Sequence, residues 1–198
     1  MKINLLMVFV LSLISFTTNS NTLNSGCSDE EFIYWEDLNS SEKENILKSF
    51  EFEKNAVDYY NCRFTPSDNN ETMSLLETIT SIPAQEDVAK FYFYIFNQIC
   101  LKADGALSEI IGKYCQKVII NKPLYVINYF KRKQNTLETY ASLIGYELYF
   151  KEEGTSDIEY NFKDFKKFIE ERATPKEEYS LILTEFFKRI EIAMRNTD

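Results

Sequence analysis

Four stretches of the chain carry apolar residues that step four, three, four, and this spacing constrains the fold more than any other feature. The stripes run Leu107, Ile111, Tyr114, Val118, then Leu137, Ala141, Ile144, Leu148, then Ile158, Phe162, Phe165, Ile169, and finally Tyr179, Leu183, Phe186, Ile190, Ala193. Such steps return side chains to one face of an α-helix, whereas a half-buried strand alternates with period two. No stretch alternates in that way over a comparable length. Only 5 Gly and 4 Pro occur among 198 residues, too few for the regular tight turns of a sandwich or barrel.

Punctuation agrees with the stripes. Ser41 with Glu44, Asn135 with Glu138, Ser156 with Glu159 and Thr174 with Glu177 each place a capping residue three positions before a Glu. Pro175, Pro83 and Pro123 suit helix openings, and Gly154 suits a helix end. Gly112 and Gly145 fall inside helical stripes, where Gly costs up to about 1 kcal/mol relative to Ala, so both mark close helix crossings. The pattern predicts a short helix near 29–37 and helices near 41–61, 71–81, 84–102, 105–120, 124–132, 136–152, 157–172 and 175–195. The fold class is therefore all-α: one domain, a bundle of eight or nine helices in antiparallel hairpins packed in chain order. An irregular stack of helical hairpins is the alternative. The run Phe91-Tyr-Phe-Tyr-Ile-Phe96 has no polar face and belongs in the middle, with Phe91, Ile95, Ile99, Ile111, Ile144, Phe165 and Phe186 expected to be buried together.

The first residues read as an address. Lys2, the apolar run Ile3–Phe16 and the small polar residues to Ser20 have the anatomy of a secretory signal peptide, residues 1–20. The run is short of the roughly 20 apolar residues a spanning helix needs. An N-terminal arm with a short helix then covers 21–40, and the helical domain 41–198. The expectation is an exported chain, periplasmic or extracellular, with no membrane insertion after cleavage. Gly26-Cys27 raises the alternative of a lipid anchor on Cys27.

Cys27, Cys62, Cys100 and Cys115 follow the signal, and an even count in an exported chain permits two disulfides. In a straight antiparallel hairpin Cys100 and Cys115 would be offset by roughly 10 Å at 1.5 Å per residue. A disulfide needs Cα atoms about 4.4–6.8 Å apart. The geometry therefore favours Cys27–Cys62 as the bridge and leaves Cys100 and Cys115 as buried thiols, with four reduced thiols as the alternative.

Chemistry is mostly excluded. The chain has no His, which removes His-based triads and His metal sites. It has no phosphate-binding Gly-rich motif and no C-x-x-C, and its acid runs lack the spacing of a calcium loop. No catalytic residue, metal site or cofactor is assigned. Paired carboxylates can act as general acid and base on a glycan, with Glu109 or Glu138 as examples, but 31 acids make such choices unspecific.

Charge is distributed unevenly. The net charge is -9, yet Ser28–Asp87 holds 15 acids against Lys43, Lys48, Lys54 and Arg63, while Val88–Asp198 holds 16 acids and 17 bases. Phosphate backbones and anionic lipids would be repelled, so nucleic acid is not an expected partner. The leading functional expectation is an exported, non-enzymatic protein-binding module, inhibitor-like or immunity-like, whose acidic N-terminal third meets a basic protein. Its candidate binding residues are Asp29, Glu30, Glu31, Phe32, Trp35, Glu36 and Asp37, with Glu42 and Glu44 extending the patch. The plainer alternatives are that the acids only solvate the surface and that Phe32 and Trp35 staple the arm to the bundle. An exported carboxylate-dependent glycan-acting enzyme is the competing reading, and a concave cleft with facing carboxylates would favour it.

Overall fold

The computed structural model describes residues 32–173 and 177–197. The described residues belong to one compact unit. Among the described residues there are nine α-helices, one 3₁₀ turn and no strand. The turn is Trp35–Asp37, and the helices are α1 (Ser40–Ser49), α2 (Lys54–Tyr60), α3 (Asn70–Thr80), α4 (Glu86–Lys102), α5 (Gly105–Asn121), α6 (Pro123–Arg132), α7 (Gln134–Glu152), α8 (Phe162–Ala173) and α9 (Glu177–Asn196). The all-α reading holds. Phe91, Ile95, Ile99, Ile111, Ile144, Phe165 and Phe186 share one buried cluster. Within the 91–96 run only Tyr94 is half-exposed.

The expected helix at 41–61 is two helices. Phe50 and Phe52 both pack on the core, and Phe52 meets the Phe91 ring edge to face at 4.8 Å. Two residues apart on a helix would point about 200° apart, so burying both rings requires an extended link. Tyr92 Oη accepts from Glu53 N (2.9 Å), and the Glu53 carboxylate then accepts from Ala56 N (2.7 Å) to start α2. Helix α1 is capped by Asn39 with Glu42, two positions before the Ser41–Glu44 pair.

Helix α8 also begins later than the Ser156–Glu159 pair suggests. The Gln116 side chain bonds both backbone groups of Tyr160, donating to its carbonyl (3.1 Å) and accepting from its N–H (3.0 Å). This ties 156–161 to α5 as a link. Ile158 is fully buried from that link, and Asn161 caps the helix by accepting from Asp164 N. The Asn135–Glu138 pair goes unused, because α7 starts from Lys133 directly after α6. Pro123 opens α6 as expected, whereas α4 starts three residues beyond Pro83. Gly154, at φ +77°, follows α7. Thr174 and Pro175 lie outside the described residues.

Packing does not simply follow chain order. The most extensive pairings join α5 with α7 and α7 with α9. Ten-residue α6 is about 15 Å long, too short to cover its 17- and 19-residue neighbours, and it touches α5, α7, α8 and α9 instead. Both interior glycines sit at these crossings. A Cβ on Gly112 would lie 2.9 Å from the Leu143 carbonyl carbon, and closer still to its oxygen and to Glu147 Cγ. A Cβ on Gly145 would meet Ala193 Cβ at 2.5 Å and the Ile190 carbonyl oxygen at 2.8 Å.

The cysteine geometry corrects one expectation. Cys100 and Cys115 are both buried, with their sulfurs 3.7 Å apart. The 10 Å offset assumed helices lying lengthwise against each other. Instead α5 lies chiefly along α7, and α4 packs chiefly on α3 and α7. Because α4 and α5 do not pack lengthwise on each other, residues at unequal distances from their turn can meet.

Candidate functional site

The described part of the N-terminal arm is bound into the bundle by its aromatic and acidic residues. Trp35 is 1% exposed and meets the Phe91 ring at 4.9 Å. Phe32 is half-buried, edge to face with Tyr125 at 5.6 Å. Glu36 accepts from the Tyr129 hydroxyl at 2.5 Å. Asp37 accepts from Tyr34 N (2.9 Å) and pairs with the Arg132 guanidinium. That hydrogen-bonded pairing holds the Asp37 carboxyl down at about 2.

Acids of the N-terminal third pair with bases of the later helices, Asp37 with Arg132 and Glu77 with Lys117. Glu44 pairs with Lys48 along α1, and Glu42 serves the cap. Glu42 and Glu44 therefore face solvent from α1, while Glu36 and Asp37 engage α6. Asp29, Glu30, Glu31 and Cys27 lie outside the described residues. Cys62 is an exposed thiol at φ +58°, on the rim of a 350 Å³ cavity that Tyr59, Lys102 and Leu107 also line.

A second group of carboxylates comes together where α5 and α7 meet the 153–158 link. Glu109 and Lys113 from α5, Tyr146, Glu147 and Phe150 from α7, and Thr155–Asp157 line an open groove of about 520 Å³. Glu147 is the buried member, 6% exposed. Its stem crosses α5 at Gly112, where only a glycine leaves room. Ser156 Oγ donates to Glu147 Oε2 at 2.6 Å, and Lys113 Nζ reaches Asp157 at 3.0 Å.

Electrostatics set Glu147 apart from its neighbours. Burial pushes its carboxyl above the usual range and the Asp157 charge adds to this; the Ser156 hydrogen bond and Lys113 oppose the shift. Burial and the charges of Glu109 and Glu147 raise the Tyr146 phenol. The Tyr146 and Phe150 rings lie 4.9 Å apart beside the carboxylates. The groove thus offers two exposed acids, one buried acid whose carboxyl is raised by burial, and two half-exposed aromatic faces.

Sequence reasoning reached Glu109 but missed Glu147. Its signal was a carboxylate three residues after Ile144, beside an apolar stripe, together with a glycine inside the facing helix. Among the described residues no group of three or more Cys, Asp and Glu is arranged to hold a metal, and no helix is long and apolar enough to cross a membrane. Compared with protein-family models, with curated proteins and with solved structures, the chain matches none.

Proposed function

We propose that the protein is an exported, non-enzymatic binding module that recognises a basic protein, with the α5–α7 groove receiving a lysine or arginine side chain. The observation that carries this reading is the pairing of Glu109, Glu147 and Asp157 with the Tyr146 and Phe150 rings. Only Lys113 balances the three carboxylates within the groove. A cation over an aromatic face gains about 0.5–2 kcal/mol, and flanking acids orient it and speed its approach. Export is inferred from the leader at 1–20, as is release from the membrane.

The test uses a defined ligand. Fluorescein-labelled octalysine is titrated against the protein at low and at 1 M salt, with octaglutamate as control. Binding should weaken as the Debye length falls from about 10 Å at 0.1 M to about 3 Å. It should also weaken at least tenfold in E109K/D157K, while E51K/E71K, away from the groove, has a smaller effect. Equal loss in both variants would reduce the groove to part of a general acidic field, and absence of binding would reject the reading.

The alternative, a glycan-acting enzyme, draws on one feature. Glu147 is a carboxylic acid made easier to protonate by burial, and it lies near the Lys113-paired Asp157. A proton donor opposite a second carboxylate is the arrangement of glycosidases, and exposed rings suit sugar faces. Release of reducing ends from cell-envelope or extracellular polysaccharide, abolished by E147Q, would replace the binding proposal.

A further inference from the structure

We propose that Cys100 and Cys115 are the two halves of a disulfide that locks α4 to α5. Their sulfurs lie 3.7 Å apart, and both side chains are closed off from solvent. A disulfide bond is about 2.05 Å long, so forming it brings the two sulfurs about 1.7 Å closer together. Cys100 lies near the end of α4 and Cys115 well inside α5, with only Ala103 and Asp104 between the helices. Gly105, at φ +42°, makes the tight entry into α5. The crosslink would fix how steeply the two helices cross, which the short connection alone leaves free.

Burial also sets when the bond forms. Cys100 and Cys115 pack in the core with Phe96, Ile99, Ile111 and Tyr140. No soluble oxidant reaches sulfurs enclosed in this way, and burial raises the Cys100 thiol, so the attacking thiolate is scarce in the folded chain. Oxidation therefore belongs to folding, before α4 and α5 close. The oxidant required is a small-molecule disulfide such as oxidised glutathione. One protein thiolate attacks the oxidant's S–S bond, forming a mixed disulfide and expelling one glutathione thiolate. The second protein thiolate then attacks the mixed disulfide, forming the Cys100–Cys115 bond and expelling the second glutathione. The two cysteines lose two electrons and two protons, and the oxidant gains them as two thiols. The closed bond would resist reduction afterwards, since reductants face the same barrier.

The experiment uses the full chain with Cys27→Ser and Cys62→Ser, so that only this pair remains. The reduced, unfolded protein is refolded in a glutathione redox buffer, then unfolded in N-ethylmaleimide and mapped without reduction. A monomer two hydrogens lighter than the dithiol, carrying no alkyl groups and yielding a linked Cys100–Cys115 peptide, is expected. Closing a 15-residue loop should raise the Tm of the oxidised form over the same protein refolded in dithiothreitol by roughly 6–12 °C. Alkylation of both cysteines, or a disulfide-linked dimer, overturns the proposal. Mapping of the unsubstituted chain gives a second readout, since a Cys27–Cys62 bridge is compatible with the proposal and Cys100 joined to any other cysteine is not.

Discussion

Arg132 holds Asp37 with both ends of its guanidinium. Nη1 meets Oδ2 at 2.8 Å and Nη2 meets Oδ1 at 2.5 Å, across 95 residues of sequence. The same guanidinium lies 4.9 Å from the centre of the Tyr34 ring, so one side chain clamps the arm by charge and by its aromatic face. Replacing Arg132 with Ala should cost about 1 kcal/mol in urea denaturation at neutral pH, a modest loss because both partners are partly solvated. Asp37 has its carboxyl lowered to about 2 from 3.8, so its stabilisation is complete above the unfolded value and fades as pH falls toward 2. D37N should remove that part of the acid-induced loss. An unchanged slope between pH 4 and 2 would mean the pair contributes nothing in solution.

Trp35 provides an optical check on the arm. It is the one Trp in the chain and is buried against Phe91 and Tyr60. Its emission should be blue-shifted and nearly insensitive to iodide, and W35A should cost about 3–5 kcal/mol. Strong quenching in the native state would show an arm that leaves the core, exposing Phe32 and Trp35 as anchors for a partner.

The two interior glycines should resist substitution in spite of helix propensity. Ala is favoured over Gly in a helix by about 1 kcal/mol, but a Cβ at 112 or 145 strikes backbone atoms of the facing helix. G112A and G145A should each destabilise by roughly 1–3 kcal/mol through overpacking. Gly154 is a control of a different kind, because nothing lies within 4 Å of its Cβ position. G154A meets only the strain of φ +77°, about 1 kcal/mol. Thermal melts of the three variants separate crowding from strain.

Glu147 should show its burial as a pH dependence. A carboxyl with a raised folded value favours the folded state in its protonated form. That contribution is present below the unfolded value near 4.5 and is lost as pH rises through the folded value. Wild type should therefore lose stability relative to E147Q as pH rises from about 4.5 toward neutrality. A constant difference between the two proteins across that window would show that Glu147 titrates as an ordinary exposed acid.

Helix identity was legible from the sequence because each stripe is a local property. Leu107 to Val118 and Leu137 to Leu148 need only 3.6 residues per turn and an apolar side to bury. The interior glycines and the all-apolar 91–96 run reported burial in the same local terms. Helix starts were less legible, because tertiary bonds compete with caps. Gln116 ties down Tyr160 across 44 residues and delays α8, and the Phe50–Phe52 pair breaks a helix to bury two rings. What only the tertiary structure decided is which distant residues meet. Helix packing set the Cys100–Cys115 approach, the α5–α7 contact placed Glu147 over Gly112, and docking of the arm paired Asp37 with Arg132. No periodicity encodes these encounters, since each depends on how whole helices pack once their apolar faces are removed from water.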